Sequence, residues 1–439
     1  MKFKFLFSIL MLMMFACSLS NTTPTVSPTS TTIPQPSNIG DLGTASIKGK
    51  VVDAETGVPI AEAVVICQHD SNSFNPNETC NRTTTTNQNG EFIFENILFN
   101  QEDLIGIRIE AQGYQAINML RGFPSQAGMD LGEISLSKGS SEVQPEIVGT
   151  SPMIANCPMF PPNNFWNTPI DSLPTHPMSD SWTASIGLSE SFHMDFGSGE
   201  WDGGPIGIPY NVVAITDVGF FVPEFYYGDE SDIGAYPIPP NPLIEHGSDH
   251  HILIVDTDTC YLYEIYDASF DGTEWSGGSG AMWDLNANYL RPDTWTSADA
   301  AGLPILPGLV RYDEIVAGEI KHALRFTAEQ TAGYIWPARH QTSDPQDGIP
   351  PMGARFRLKA DYDISNFPPE MQILLQAMKT YGIVLADNGS NWYVSGAPDE
   401  RWDNDMLHLL DVLTGNDFEA VDTSVMMVDV DSGEAIINR

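Results

Sequence analysis

The chain is 439 residues long, 42% hydrophobic and 10% aromatic, with 58 acidic side chains against 19 basic ones. That length and apolar content supply cores for two or three domains and exclude a wholly disordered protein. A formal charge of −39 excludes the cationic surface that nucleic acid binding needs, and past the N-terminus no apolar run is long enough to span a bilayer.

Residues 1–17 read as a secretory signal, with Lys2 and Lys4 before the short apolar stretch 5–15. The stretch ends Met14-Phe15-Ala16-Cys17, and a small residue before Cys resembles the lipobox of bacterial lipoproteins. That resemblance implies lipidation of Cys17, with the bilayer as partner; Met14 and Phe15 depart from the pattern and leave ordinary signal-peptidase cleavage open. Residues 18–44 are rich in Ser, Thr and Pro and nearly uncharged, which makes them an extended tether. Both features point to export and a membrane-anchored surface location. Cys67, Cys80, Cys157 and Cys260 then form an even set in an oxidising compartment. Three connectivities are open, of which 67–80 and 157–260 are expected.

Residues 45–137 read as all-β. Ser46-Ile-Lys-Gly-Lys-Val-Val52 alternates, 53–59 carries turn residues, and Asn87-Gln-Asn-Gly90 turns into Glu91-Phe-Ile-Phe94. With Gly57-Val-Pro59 and Ala111-Gln-Gly-Tyr114, these residues resemble the carboxypeptidase regulatory-like domain. The resemblance implies a small transthyretin-like β-sandwich acting as a non-catalytic spacer or binding module.

A linker at 138–156 leads to a larger unit, 157–425, and a C-terminal tail, 426–439. All nine Trp lie beyond residue 150. Strands are expected at 210–215, 219–225, 251–255, 261–266, 322–327 and 355–360, and helices at 312–320, 369–381 and 403–413. The expectation is a β-rich domain, sandwich or barrel-like, with a few helices; no repeat supports a propeller. Ser248-Asp-His-His-Ile-Leu-Ile-Val-Asp256, Ala301-Gly-Leu-Pro-Ile-Leu-Pro-Gly-Leu309, Glu319-Ile-Lys-His-Ala-Leu-Arg-Phe326 and Tyr381-Gly-Ile-Val-Leu-Ala-Asp-Asn388 resemble an uncharacterised group of secreted bacterial proteins. That resemblance implies one coherent domain and transfers no activity.

Chemistry-bearing residues concentrate in this unit. A tight turn at Asp256-Thr-Asp-Thr259 pairs Val255 with Cys260, Leu253 with Leu262 and His251 with Glu264. A carboxylate opposite His251 raises its basicity, although the same pair also suits a satisfied core contact. His322 is a further catalytic candidate. No Lys or Arg occurs between Lys138 and Arg291, so Arg325, Arg339, Arg355 and Arg357 are candidates for one electropositive patch. Arg355 and Arg357 point to one strand face, a geometry for a carboxylate or sulfate; the plainer role is neutralising neighbouring acids. Trp201 and Trp283 beside acids suit sugar rings, with Asp195, Asp284 and Glu264 as acid/base candidates for glycosidic cleavage. The acidic runs Asp229-Glu-Ser-Asp232 and Asp256-Thr-Asp258 offer oxygen ligands of the kind Ca²⁺ takes, without matching an EF-hand loop. No His-Glu-x-x-His or paired-Cys motif assembles a zinc site. No serine-hydrolase elbow, phosphate loop or dinucleotide fingerprint occurs, which disfavours nucleotide partners. The expected function is an exported surface lipoprotein acting on extracellular glycan, a glycoside hydrolase ahead of a lyase. The rival is a non-catalytic carbohydrate-binding or adhesive surface protein.

Overall fold

The computed structural model describes residues 43–69, 82–99, 104–111, 113–114, 117–122, 129–136, 138 and 151–436. The expectations for Cys17, the tether, Cys80 and most of the linker lie outside these residues.

The protein is mainly β. Its first part is a seven-stranded sandwich of β1 (Gly43–Asp53), β2 (Val64–His69), β3 (Arg82–Thr85), β4 (Glu91–Phe99), β5 (Leu104–Glu110), β6 (Ile117–Gly122) and β7 (Met129–Leu136). Sheet β4-β1-β7 faces sheet β3-β2-β5-β6. Period-two alternation sends Ile47, Val51, Val65, Phe94, Ile107, Ile109 and Leu136 into the shared core. The turn before β4 requires Gly90: its φ is +75°, and a Cβ there would stand 2.3 Å from Val51 O. Cys67 is disulfide-bonded, as expected of it.

Two sheets organise the larger part. In chain order their strands are β8 (His193–Asp195), β9 (Tyr210–Val213), β10 (Ile252–Asp256), β11 (Tyr261–Tyr266) and β12 (Ser279–Asp284). There follow β13 (Leu324–Ala328), β14 (Arg355–Leu358), β15 (Ile383–Asn388), β16 (Tyr393–Ser395) and β17 (Phe418–Val421). The six-stranded sheet runs β8-β16-β13-β15-β14-β17, and the four-stranded sheet β9-β10-β11-β12. Strands β13 and β15 are parallel neighbours at its centre, so they are covered on both faces and their sequences are nearly unbroken apolar runs. On one face Phe326, Leu385 and Phe356 pack with Trp182 of α1 (Ser179–Ile186) and Leu374 and Met378 of a later helix, Pro369–Thr380. On the other, Val384 and Ala386 meet Leu253, Val255 and Leu262 of the four-stranded sheet. This inter-sheet layer frames the candidate site.

The expected helix at 312–320 is α2 (Tyr312–Ala317), stopped by Gly318 at φ +86°. The helix Pro369–Thr380, α3, begins with Pro in its first turn. The expected helix at 403–413 is one turn, Asn404–Leu407, continued as a 3₁₀ segment, His408–Val412. The strand expected at 219–225 shrinks to Glu224–Phe225. Part of the expected tail is packed: Met426 and Ala435 are buried together, and Phe165 N–H donates to Gly433 O (2.8 Å). The disulfide Cys157–Cys260 forms as expected. No helix among the described residues is long and apolar enough to cross a membrane.

Candidate functional site

The hairpin that carries His251 and Glu264 pairs in a different register from the expected one. Val255 faces Leu262 and Leu253 faces Glu264, because Cys260 adopts φ +56° and joins the loop. The Asp256 carboxylate is taken up by that loop, accepting from Asp258 N (2.9 Å) and Thr259 N (3.1 Å). A shift of two residues preserves facing, so His251 and Glu264 both enter the inter-sheet layer, as diagonal neighbours. They make no hydrogen bond to each other. Glu264 accepts from Ile305 N (3.0 Å) and Leu306 N (2.9 Å), holding the segment that begins the 3₁₀ turn Leu306–Gly308. Burial nonetheless pushes its carboxyl up to about 7.

His251 is fully enclosed and donates from both ring nitrogens. Nδ1 meets the Glu245 carboxylate and Nε2 meets Ala298 O at 2.9 Å. Neither acceptor has a proton to give while Glu245 is ionised, so the ring is an imidazolium. Burial works against that charge, but the Glu245 hydrogen bond and charge prevail and hold the His251 pKa at about 9. The same contact overcomes burial to hold Glu245 below the usual carboxylate range. His251 is thus a fixed cation rather than the general base expected from sequence, and Glu245 is the ionised group it positions.

Arg325, on β13, is the centre of the arrangement. Nε and Nη2 grip Asp299 through two bonds of 2.7 Å, Nη1 donates to Ser395 Oγ (2.5 Å), and Nη2 reaches Asp387 Oδ2 (3.2 Å). Asp387 stands beyond a register shift between β13 and β15, the kind of bulge that re-aims a side chain. Burial and the adjacent Asp299 charge raise the Asp387 carboxyl well above its ordinary value. Asp195, paired with Ser395 across β8 and β16, is open to water. The protein crowding it still raises its carboxyl, against the opposing pull of His193 and Arg325. Asp195, Glu245 and Asp387 all feel the Arg325 charge, and Asp387 also feels His251. Tyr266 lies tilted against His251, with ring centroids 5.7 Å apart and planes at 45°, and feels the charges of Asp387 and Asp249. Tyr226 and Tyr227 are exposed beside it. Trp201, 77% exposed, sits on a hairpin held to the Glu245 loop by His246 Nε2–H donating to Asp202 O (3.0 Å).

The other expected site residues are elsewhere. His322 is buried with Glu314 (3.0 Å), which also takes Arg311. Above that network lies a cavity of ≈290 Å³ lined by Tyr210, Tyr312 and Arg401. The arginine patch does not assemble. Arg355 and Arg357 do share a face, but they grip the carbonyls of Phe165 and Thr168, and of Ile170, Asp171 and Leu173, instead of a ligand. Arg339 ties Arg291 O to Val430 O and Asp431. Trp283 is 4% exposed and packs on Phe160, which removes it from any ligand face. Asp284 is half-buried and accepts from Asn286 N (2.9 Å). Of the acidic runs offered for Ca²⁺, Asp232 serves Arg291 (2.5 Å) and Met282 N (2.9 Å).

Sequence reasoning missed Glu245, Asp299 and Asp387. Asp387 carried a signal: a carboxylate that ends the wholly apolar run 383–386 must have a partner or a purpose. Glu245 and Asp299 lie in loops, where no periodicity marks an inward side chain.

No family model and no curated protein matches the chain. Among solved structures, the chain is similar at 16% identity and TM-score 0.18 to a 3-chlorocatechol 1,2-dioxygenase from Rhodococcus opacus 1CP, over 22% of this chain and 60% of that one. A streptococcal ancillary pilin matches at 14% identity and TM-score 0.17, over 23% and 30% of the two chains. Catechol 1,2-dioxygenase from Pseudomonas arvilla C-1 matches at 13% and 0.19, over 24% and 56%. The matches therefore span less than two thirds of those proteins, and likenesses this partial carry no functional argument.

Proposed function

We propose that the larger unit is an acid–base enzyme acting on an extracellular glycan, a hydrolase, in an exported protein anchored through Cys17. One observation carries the reading: carboxyl groups around Arg325 have pKa values driven in opposite directions, Asp195 and Asp387 up and Glu245 down. Such divergence is how one site keeps a proton donor and an ionised base at the same pH. In this reading Asp195, the exposed member, protonates the glycosidic oxygen. Glu245, held ionised by His251, activates water or attacks the anomeric carbon. Asp299 and Asp387 fix Arg325, and His251 and Arg325 are positioning residues. Exposed Tyr226, Tyr227 and Trp201 at the rim offer stacking faces for sugar rings. The chain's strong negative charge favours a neutral glycan over an acidic one.

The test is a polysaccharide panel read by reducing ends and by absorbance of unsaturated product. Reducing ends alone are expected. Glu245→Gln and Asp195→Asn should each lower turnover about 10²–10⁴-fold with circular dichroism unchanged. The exposed aromatics equally suit the non-catalytic binder. Glycan retention without turnover, lost on Tyr227→Ala and kept in Glu245→Gln, would establish that reading instead.

A further inference from the structure

Beside the Arg325 cluster, two histidines and a carboxylate meet that the proposed chemistry does not use. His193 lies on edge strand β8, two residues before Asp195 and hence on the same face. His408 and Asp411 lie one turn apart on the 3₁₀ segment packed against that strand. A ring nitrogen from each histidine and an Asp411 oxygen all stand within 4.8 Å of one another. We infer that His193, His408 and Asp411 form a binding site for a divalent transition metal ion, Zn²⁺ above all.

Three features separate this set from an ordinary acidic surface cluster. Its donors are two imidazoles and one carboxylate, the set that suits zinc and related ions and leaves a coordination position open. His408 Nδ1–H donates to Asp411 Oδ2 at 3.0 Å, a separation close to the roughly 3.3 Å between two ligands of a tetrahedral ion with bonds of about 2.0 Å. An ion taking up the pair thus replaces one shared proton, while His408 Nε2 stays uncommitted among the described residues. Asp411 Oδ1 is shielded from water with no donor facing it, an electron pair that a cation would satisfy. No described residue hydrogen-bonds the His193 ring, which rests against Tyr393 at 4.5 Å between centroids and keeps its nitrogens free for a metal.

The neighbouring group Glu245, Asp249 and His251 has comparable spacing but not the chemistry. Both His251 nitrogens are committed as N–H donors, to Glu245 and to Ala298 O. A metal there would have to displace a proton from a ring whose pKa is held at about 9. The metal proposal stands apart from the glycan reading, since it uses different side chains and its test reads no activity.

The experiment titrates Zn²⁺ into untagged, metal-stripped full-length protein by calorimetry, and Co²⁺ with its visible d–d absorption as the report of coordination geometry. One ion per chain is expected, with the intense Co²⁺ bands of a four-coordinate site. His193→Ala and His408→Ala should each weaken binding by more than the about 10–100-fold that changes behind the ligands cost. Asp411→Asn should weaken it too, and Asp249→Asn should leave it unchanged. Wild-type affinity in both histidine variants, loss on Asp249→Asn, or no uptake at all would overturn the proposal. Thermal unfolding of each variant separates a lost ligand from a lost fold.

Discussion

In the sandwich the cation–carboxylate pairs lie outside: Lys48–Asp130 and Lys50–Glu133 bridge β1 and β7, with Lys48 and Asp130 55% and 59% exposed. Among the described residues its buried carboxylate, Asp53, caps its own turn through Thr56 N (2.9 Å) and meets Tyr114 and Lys138. The larger part does the reverse. Arg325–Asp299, Arg311–Glu314 and His251–Glu245 are enclosed between its elements. Exposed pairs cost little to form and stabilise little. Enclosed ones carry a desolvation cost that a purely structural domain avoids with apolar residues. A domain that encloses several such pairs has a use for charge held in place, and two of them, Arg325–Asp299 and His251–Glu245, meet around the Arg325 cluster.

The largest expected effect follows from removing one side of an enclosed pair. Asp299→Ala removes the bidentate partner of the buried Arg325 guanidinium, leaving it only Asp387 and Ser395, and should destabilise the protein by about 3–5 kcal/mol, read by denaturant unfolding; a loss below about 1 kcal/mol would show that the cluster is solvated. Glu264→Ala comes next. It leaves the N–H groups of Ile305 and Leu306 without their acceptor, at about 1.5–3 kcal/mol for bonds to a charged group. Glu264→Gln, which keeps an acceptor oxygen, should cost less.

A smaller, pH-dependent effect follows from two raised pKa values. His251 binds its proton more tightly in the folded state, so its contribution is complete below the unfolded value of 6.5 and is lost as pH rises through about 9. Glu264, with a folded value of about 7 against 4.5, likewise holds more protons folded than unfolded, so stability falls between those values as pH rises. Thermal midpoints should therefore decline from mildly acidic to alkaline pH. Glu264→Gln should flatten the acidic half of the decline and His251→Gln the alkaline half. A midpoint that rises over this range would contradict both assignments. The smallest effect belongs to the sandwich: Lys48→Ala should change stability by less than about 1 kcal/mol, and only at low salt.

Local pattern carried much of the fold. Alternation placed the first sandwich strand and the strand Tyr261–Tyr266, and helical periodicity placed Pro369–Thr380, because each element is specified by residues adjacent along the chain. The pairing of Cys157 with Cys260 was legible from cysteine parity and location. The hairpin register was not, because whether Cys260 ends a strand or enters a left-handed loop depends on what it bonds across the core.

The site divides in the same way. Sequence alone placed His251 and Glu264 among the candidates through the expected hairpin, Asp195 through the aromatic residues beside it, and Arg325 through the local run of basic residues. Tertiary structure decided their partners. Glu245 and Asp299 come from loops, Asp387 is turned inward past an irregular register, and His193 meets His408 across more than two hundred residues of chain. Burial and alternation are local properties that the chain spells out residue by residue. The company a charge keeps is set by which distant segments the two sheets bring to the same layer, and no window along the chain contains both.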